Sequence, residues 1–88
     1  MPWSVHFHPD AAKELKKLGG TNAERILDVL QKRIATAKDP RLLGGPLKGD
    51  HSGDWRWRVG DYRIIASIND ERLLILIVRV AHRREAYR

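Results

Sequence analysis

The C-terminal half of the chain constrains the fold most. From Trp55 to Val80, apolar and polar residues follow a strand-like pattern broken only at Gly60-Asp61 and Asp70-Glu71. That predicts three consecutive strands, Trp55–Val59, Tyr62–Ile68 and Leu73–Val80, joined by two tight turns. The last strand is apolar at nearly every position, as expected of a central strand covered on both faces.

Ahead of this meander, Trp3 to His8 alternates, with Trp3, Val5 and Phe7 on one side and Ser4, His6 and His8 on the other. Pro9 suits the first turn of a helix, where its missing N–H costs nothing. Ala11, Ala12, Leu15 and Leu18 form the apolar stripe of that helix, and Gly19-Gly20 ends it. Thr21-Asn22-Ala23-Glu24 has the form of a capping box for a second helix. Its buried face is Ile26, Leu27, Leu30 and Ile34, and Asp39-Pro40 closes it. Residues 41 to 53, rich in glycine, read as a loop carrying Lys48 and His51. The order predicts an α+β fold, an N-terminal strand and helical hairpin packed on a mostly antiparallel four-stranded sheet. Residues 1–88 read as a single domain.

Strand parity assigns faces. With a two-residue loop at Gly60-Asp61, Val59 opposes Tyr62, Arg58 opposes Arg63 and Arg56 opposes Ile65. Trp55, Trp57, Val59, Tyr62, Ile64 and Ala66 then face the helices, and Arg56, Arg58 and Arg63 share the other side. Like charges directly across a ladder destabilise a sheet. Three guanidinium groups on one face make a phosphate clamp, since their fixed forks of donors match phosphate oxygens. With a tight turn at Asp70-Glu71, Leu74, Leu76, Val78 and Val80 share the arginine side, and this apolar strip is a candidate partner surface.

The charge agrees with an anionic partner. Lys and Arg total 17 against 11 Asp and Glu, for a net charge of +6, which favours nucleic acid. There is no cysteine, which removes disulfides and thiolate metal sites. No apolar run reaches the ~20 residues of a membrane span; a cytoplasmic location is expected. His6 and His8 lack an evident third ligand, so neither a metal nor another cofactor is expected. The terminal run His82-Arg83-Arg84-Glu85-Ala86-Tyr87-Arg88 gathers an imidazole, several guanidiniums and a phenol. RNA is cut without metal when the 2′-hydroxyl is deprotonated, the pentavalent phosphate neutralised and the leaving 5′-oxygen protonated. These side chains are chemically suited to those tasks. His82, an imidazole, is a candidate for proton transfer, and Arg58, Arg84 and Arg88 for RNA contact.

Several segments together resemble one family. They are His8-Pro9-Asp10-Ala11, Leu47-Lys48-Gly49, the run from Trp55 to Ile65, and the run from Val80 to Arg88. In order and spacing they resemble the RelE branch of the RelE/ParE toxin superfamily, across essentially the whole chain. The resemblance implies a toxin of a type II toxin–antitoxin system that enters the ribosome and cleaves mRNA, leaving a 2′,3′-cyclic phosphate. It implies that Arg63 contacts the phosphate and that Arg83 stabilises charge or protonates the leaving group. Tyr87 stacks on a base and helps activate the 2′-hydroxyl. Arg56 falls where familiar members carry a catalytic lysine, and Lys48 at a position that contacts ribosomal RNA. Asp54 departs from a basic residue found in some members. The partner implied is an antitoxin, with Leu74, Leu76 and Val78 as its candidate contacts. The ParE branch implies instead a gyrase poison without nuclease activity. A module that only binds RNA or ribosomes is a third possibility.

Overall fold

The computed structural model describes residues 3–47 and 53–82. β1 (Ser4–Phe7) leads into α1 (Pro9–Lys17). His8 caps α1, its Nδ1 accepting from the Asp10 N–H at 3.2 Å, and Pro9 stands in the first turn as expected. α2 (Gly20–Val29) follows after Leu18 and Gly19 and runs on into a π-helical turn, Leu30–Ile34. Thr21 is therefore inside the helix. Gly19 holds the N-cap with no side-chain hydrogen bond, so the capping box read from Thr21-Asn22-Ala23-Glu24 is not formed.

The stretch read as a loop contains a 3₁₀ turn, Pro40–Leu43, and a two-residue strand β2, Gly45–Pro46. Asp39 caps the turn, accepting from the Arg41 N–H at 3.0 Å. Two indoles lock it to β3 (Trp55–Val59): Trp57 Nε1 donates to the Pro40 carbonyl at 2.9 Å, and Trp55 Nε1 to that of Arg41 at 3.0 Å. Gly44 lies so close to β3 that a Cβ there would overlap the Arg56 carbonyl.

β4 (Tyr62–Asn69) and β5 (Leu74–His82) complete a five-stranded sheet of order β1-β5-β4-β3-β2. β5 is an interior strand, paired on both edges by β1 and β4, while β4 holds the middle place. β1 joins it in parallel, Ser4 with Leu74 through Phe7 with Ile77, and the other pairings are antiparallel. The β4–β5 connection is wider than the two-residue turn expected, since Asn69 pairs with Leu74 and residues 70–73 form the loop. Leu73 takes a positive φ of 51° there. The Arg41 guanidinium grips the Asp70 carboxylate of this loop with two hydrogen bonds of 2.9 and 2.8 Å. That contact holds the Asp70 carboxyl below its ordinary range.

The helices cover one face. Ala11, Ile26, Leu30 and Ile34 pack with Trp57, Val59, Ile64, Ala66, Ile75, Ile77 and Val80 in one buried cluster. Burying a side chain of this size contributes roughly 1.5–3 kcal/mol. Val80 thus belongs to the core and not to the arginine side, because a register shift between Ile65 and Ala66 intervenes. Coverage of β5 is also uneven: Ile75 and Ile77 are fully buried, whereas Leu74, Leu76 and Val78 are half-buried. No helix among the described residues is long and apolar enough to cross a membrane.

Candidate nucleic-acid interface

The β3–β4 hairpin builds the site. Gly60-Asp61 is a two-residue loop, and Gly60 takes the positive φ of 59° that a type II′ turn needs at its first central position. Short loops fix register. Val59 therefore pairs with Tyr62, Arg58 with Arg63, Trp57 with Ile64 and Arg56 with Ile65. Because Trp57 and Val59 face the helices, Arg56, Arg58 and Arg63 share the opposite face. Ile65 and Ala81, 3% and 2% exposed, are buried yet stand outside the helix-side cluster.

Arg63 is the unusual member. It is 7% exposed. Its Nη1 donates to the Tyr62 carbonyl at 3.2 Å, and its Nε is buried with no hydrogen-bond partner among the described residues. A buried charged donor left unpaired is costly, by about 1–3 kcal/mol or more. Facing it, Arg58 is exposed. Arg56 is half-buried, its guanidinium beside Gly45, where a Cβ would lie 3.6 Å from Nη2.

β5 extends this face. Ala81 pairs with Arg63 and Arg79 with Ile65. Arg79 was given no role by sequence parity, which carried the alternation straight through β5. The one charge in an otherwise apolar run was the available signal. Further along, Leu76 pairs with Ser67 and with His6, and Leu74 with Asn69 and Ser4, so both leucines continue the arginine side. Val78 stands at the register shift.

His82 is not brought to the arginines. It pairs with Tyr62, on the side that packs toward the helices. Its ring meets the Tyr62 ring edge-on, with centroids 5.7 Å apart and planes at 86°. Asn22, Arg25 and Asp61 line the same cleft. The two faces of a strand alternate, which separates His82 from Arg63 across the sheet. Lys48, Arg83, Arg84, Tyr87 and Arg88 lie outside the described residues. No group of three or more potential metal ligands from His, Cys, Asp and Glu occurs among the described ones.

Comparison with known proteins agrees with this architecture. Residues 5–87 match the family described as the ParE toxin of type II toxin–antitoxin systems. The chain is 31% identical over 88 residues to the toxin RelG of Mycobacterium tuberculosis, covering 100% of this chain and 99% of that one. Its structure superposes with a TM-score of 0.83 on a chain of the toxin–antitoxin complex RelBE2 from the same organism. That match has 28% identity and covers 93% of this chain and 99% of the other. A RelB–RelE antitoxin–toxin complex from Methanococcus jannaschii gives a TM-score of 0.70 at 29% identity, with 94% and 95% covered. With the strand order, the helical hairpin and the matched segments in place, the chain belongs to the RelE/ParE superfamily of type II toxin–antitoxin toxins, on its RelE-like branch.

Proposed function

We propose that this toxin is an endoribonuclease that cleaves mRNA on the ribosome without a metal ion and so stops translation. The observation that carries the reading is Arg63, a nearly buried guanidinium with an unsatisfied Nε, on a face shared with Arg56 and Arg58. A phosphate oxygen is the acceptor such a group lacks.

In this reading the 2′-oxygen bonds to the adjacent phosphorus as the bond to the 5′-oxygen breaks. The products are a 2′,3′-cyclic phosphate and a 5′-hydroxyl. Arg63 and Arg56 neutralise the charge gathering on the phosphate. Arg56 serves as a charge and a fork of donors, not as a base. From the sequence resemblance, Tyr87 stacks on a base and helps activate the 2′-hydroxyl, whose proton is lost to a general base as the bond to phosphorus forms, and Arg83 supplies charge or a proton at the leaving oxygen. Arg58, Lys48, Arg84 and Arg88 hold RNA backbone. His82, set against Tyr62, is assigned no proton transfer. The partner is an antitoxin, supported by the RelB that accompanies the related toxins in their complexes, with Leu74, Leu76 and Val78 as its contacts. The toxin acts in the cytoplasm.

A translation extract tests the reading. The purified chain is added, and mRNA 5′ ends are mapped by primer extension with and without ribosomes. Ribosome-dependent ends that fall about 10²–10³-fold in rate for Arg63→Ala support it, the usual cost of removing one preorganised charge donor. Intact mRNA with inhibited DNA supercoiling selects instead a gyrase-directed toxin, the reading favoured by the ParE description of the matched family.

A further inference from the structure

The irregularity in β5 reassigns a residue. Ala66 pairs with Ile77 and Ile65 with Arg79, which leaves Val78 without a partner on β4. In an unbroken ladder Arg79 would oppose Ile64 in the buried layer, and Val80 would oppose Arg63. A single inserted residue reverses this. Val80 enters the core, small Ala81 stands beside Arg63, and Arg79 takes the register of Ile65, its guanidinium lying at the β5 edge in a groove it shares with Asp10, Lys13, Glu14 and Lys17 of α1.

The bulge creates a backbone debt. β1 pairs with β5 only as far as Ile77. The Val80 N–H instead donates to Glu14 Oε1, reaching over from α1, at 2.9 Å. The other oxygen of the same carboxylate stands 3.7 Å from Arg79 Nε. One side chain thus touches both the backbone and the guanidinium of the bulge. The contact with the N–H has hydrogen-bond length; the contact with the guanidinium is longer than the 2.7–2.9 Å typical of a charge-assisted bond. Arg79 is also about one-third exposed, at 36% of its side chain. A phosphate can therefore recruit the guanidinium while Glu14 keeps its hold on the backbone.

We propose that Arg79 is an RNA-phosphate contact at the rim of the cationic face, where the β5 edge meets α1, and that Glu14 is the positioning residue that holds it at that rim. The assignment rests on the RNA reading of that face. It is tested on the whole chain by fluorescence anisotropy with a labelled single-stranded RNA oligomer over a series of salt concentrations. Each phosphate contact on single strands contributes about 0.7 to the slope of log affinity against log salt. Arg79→Gln is expected to lower the slope by about 0.7 and to weaken binding several-fold at low salt. Glu14→Gln keeps the acceptor and is expected to retain the wild-type slope. Glu14→Ala is expected to lose slope as Arg79→Gln does, with faster hydrogen exchange at the Val80 amide. Wild-type slope and affinity in Arg79→Gln overturn the assignment of Arg79 alone. Wild-type slope with a protected Val80 amide in Glu14→Ala overturns the role of Glu14. Should Glu14→Ala fail to fold, reduced slope in Glu14→Gln overturns that role. A wild-type chain that neither binds nor cuts RNA overturns the reading of the whole face.

Discussion

Arg58 and Arg63 stand directly opposite one another across the β3–β4 ladder, the first exposed and the second nearly buried. The pairing opposes stability in the free protein, because like charges in cross-strand register repel. It serves a bound polyanion, which neutralises both. Arg58→Thr is thus expected to stabilise the isolated toxin slightly, by about 0.2–1 kcal/mol, and to weaken RNA binding. Urea unfolding and RNA titration of the same variant check the two opposite signs.

The Arg41–Asp70 pair links the 3₁₀ turn to the β4–β5 loop. Arg41 holds the Asp70 carboxyl below its ordinary value. A carboxyl depressed in the folded state contributes stability above its unfolded pKa, about 3.9. That contribution disappears as pH falls through the folded value. Thermal melts of wild type and Asp70→Asn should differ at neutral pH, with wild type more stable. The difference should close as the pH is lowered below about 4. The effect is small because the pair is solvent-screened; a gap that widens in acid would contradict it.

Leu74 and Leu76 lie on the side of the sheet away from the helices. Leu76→Glu puts a charge into that surface and spares the core cluster. Antitoxin affinity is expected to fall by more than tenfold, about 1.4 kcal/mol, with the melting curve nearly unchanged. Calorimetric titration with the antitoxin gives the answer, and unchanged affinity in a folded variant removes this surface from the interface.

His82 offers a contrast between sequence and structure. An imidazole is suited to proton transfer, but the His82 ring sits on Tyr62, across the sheet from Arg63. His82→Ala is expected to leave cleavage within a few-fold of wild type. A loss near 10²-fold, the scale of general acid–base catalysis, would return His82 to the reaction.

The parts of this fold that sequence discloses are those fixed locally. The β3–β4 register follows from alternation and a two-residue turn, so the common face of Arg56, Arg58 and Arg63 could be read from residue order. The bulge could not, because the run from Leu74 to His82 supports several registers with little difference in local preference. What selects one is a tertiary demand, Val80 inward and Arg79 outward, together with an acceptor from Glu14, far away in the chain. The Pro40–Leu43 turn was hidden for a related reason. Glycine and proline there look like loop punctuation, and only the indoles of Trp55 and Trp57 reveal that the segment is docked.

The parallel pairing of Ser4 with Leu74 joins segments far apart in the chain. During translation the first strand must wait, unpaired along that edge, until the strand Leu74–His82 has emerged. Such distant closure is slow, since the entropy of the intervening chain is lost before contacts repay it. A nascent molecule therefore cannot assemble its sheet early.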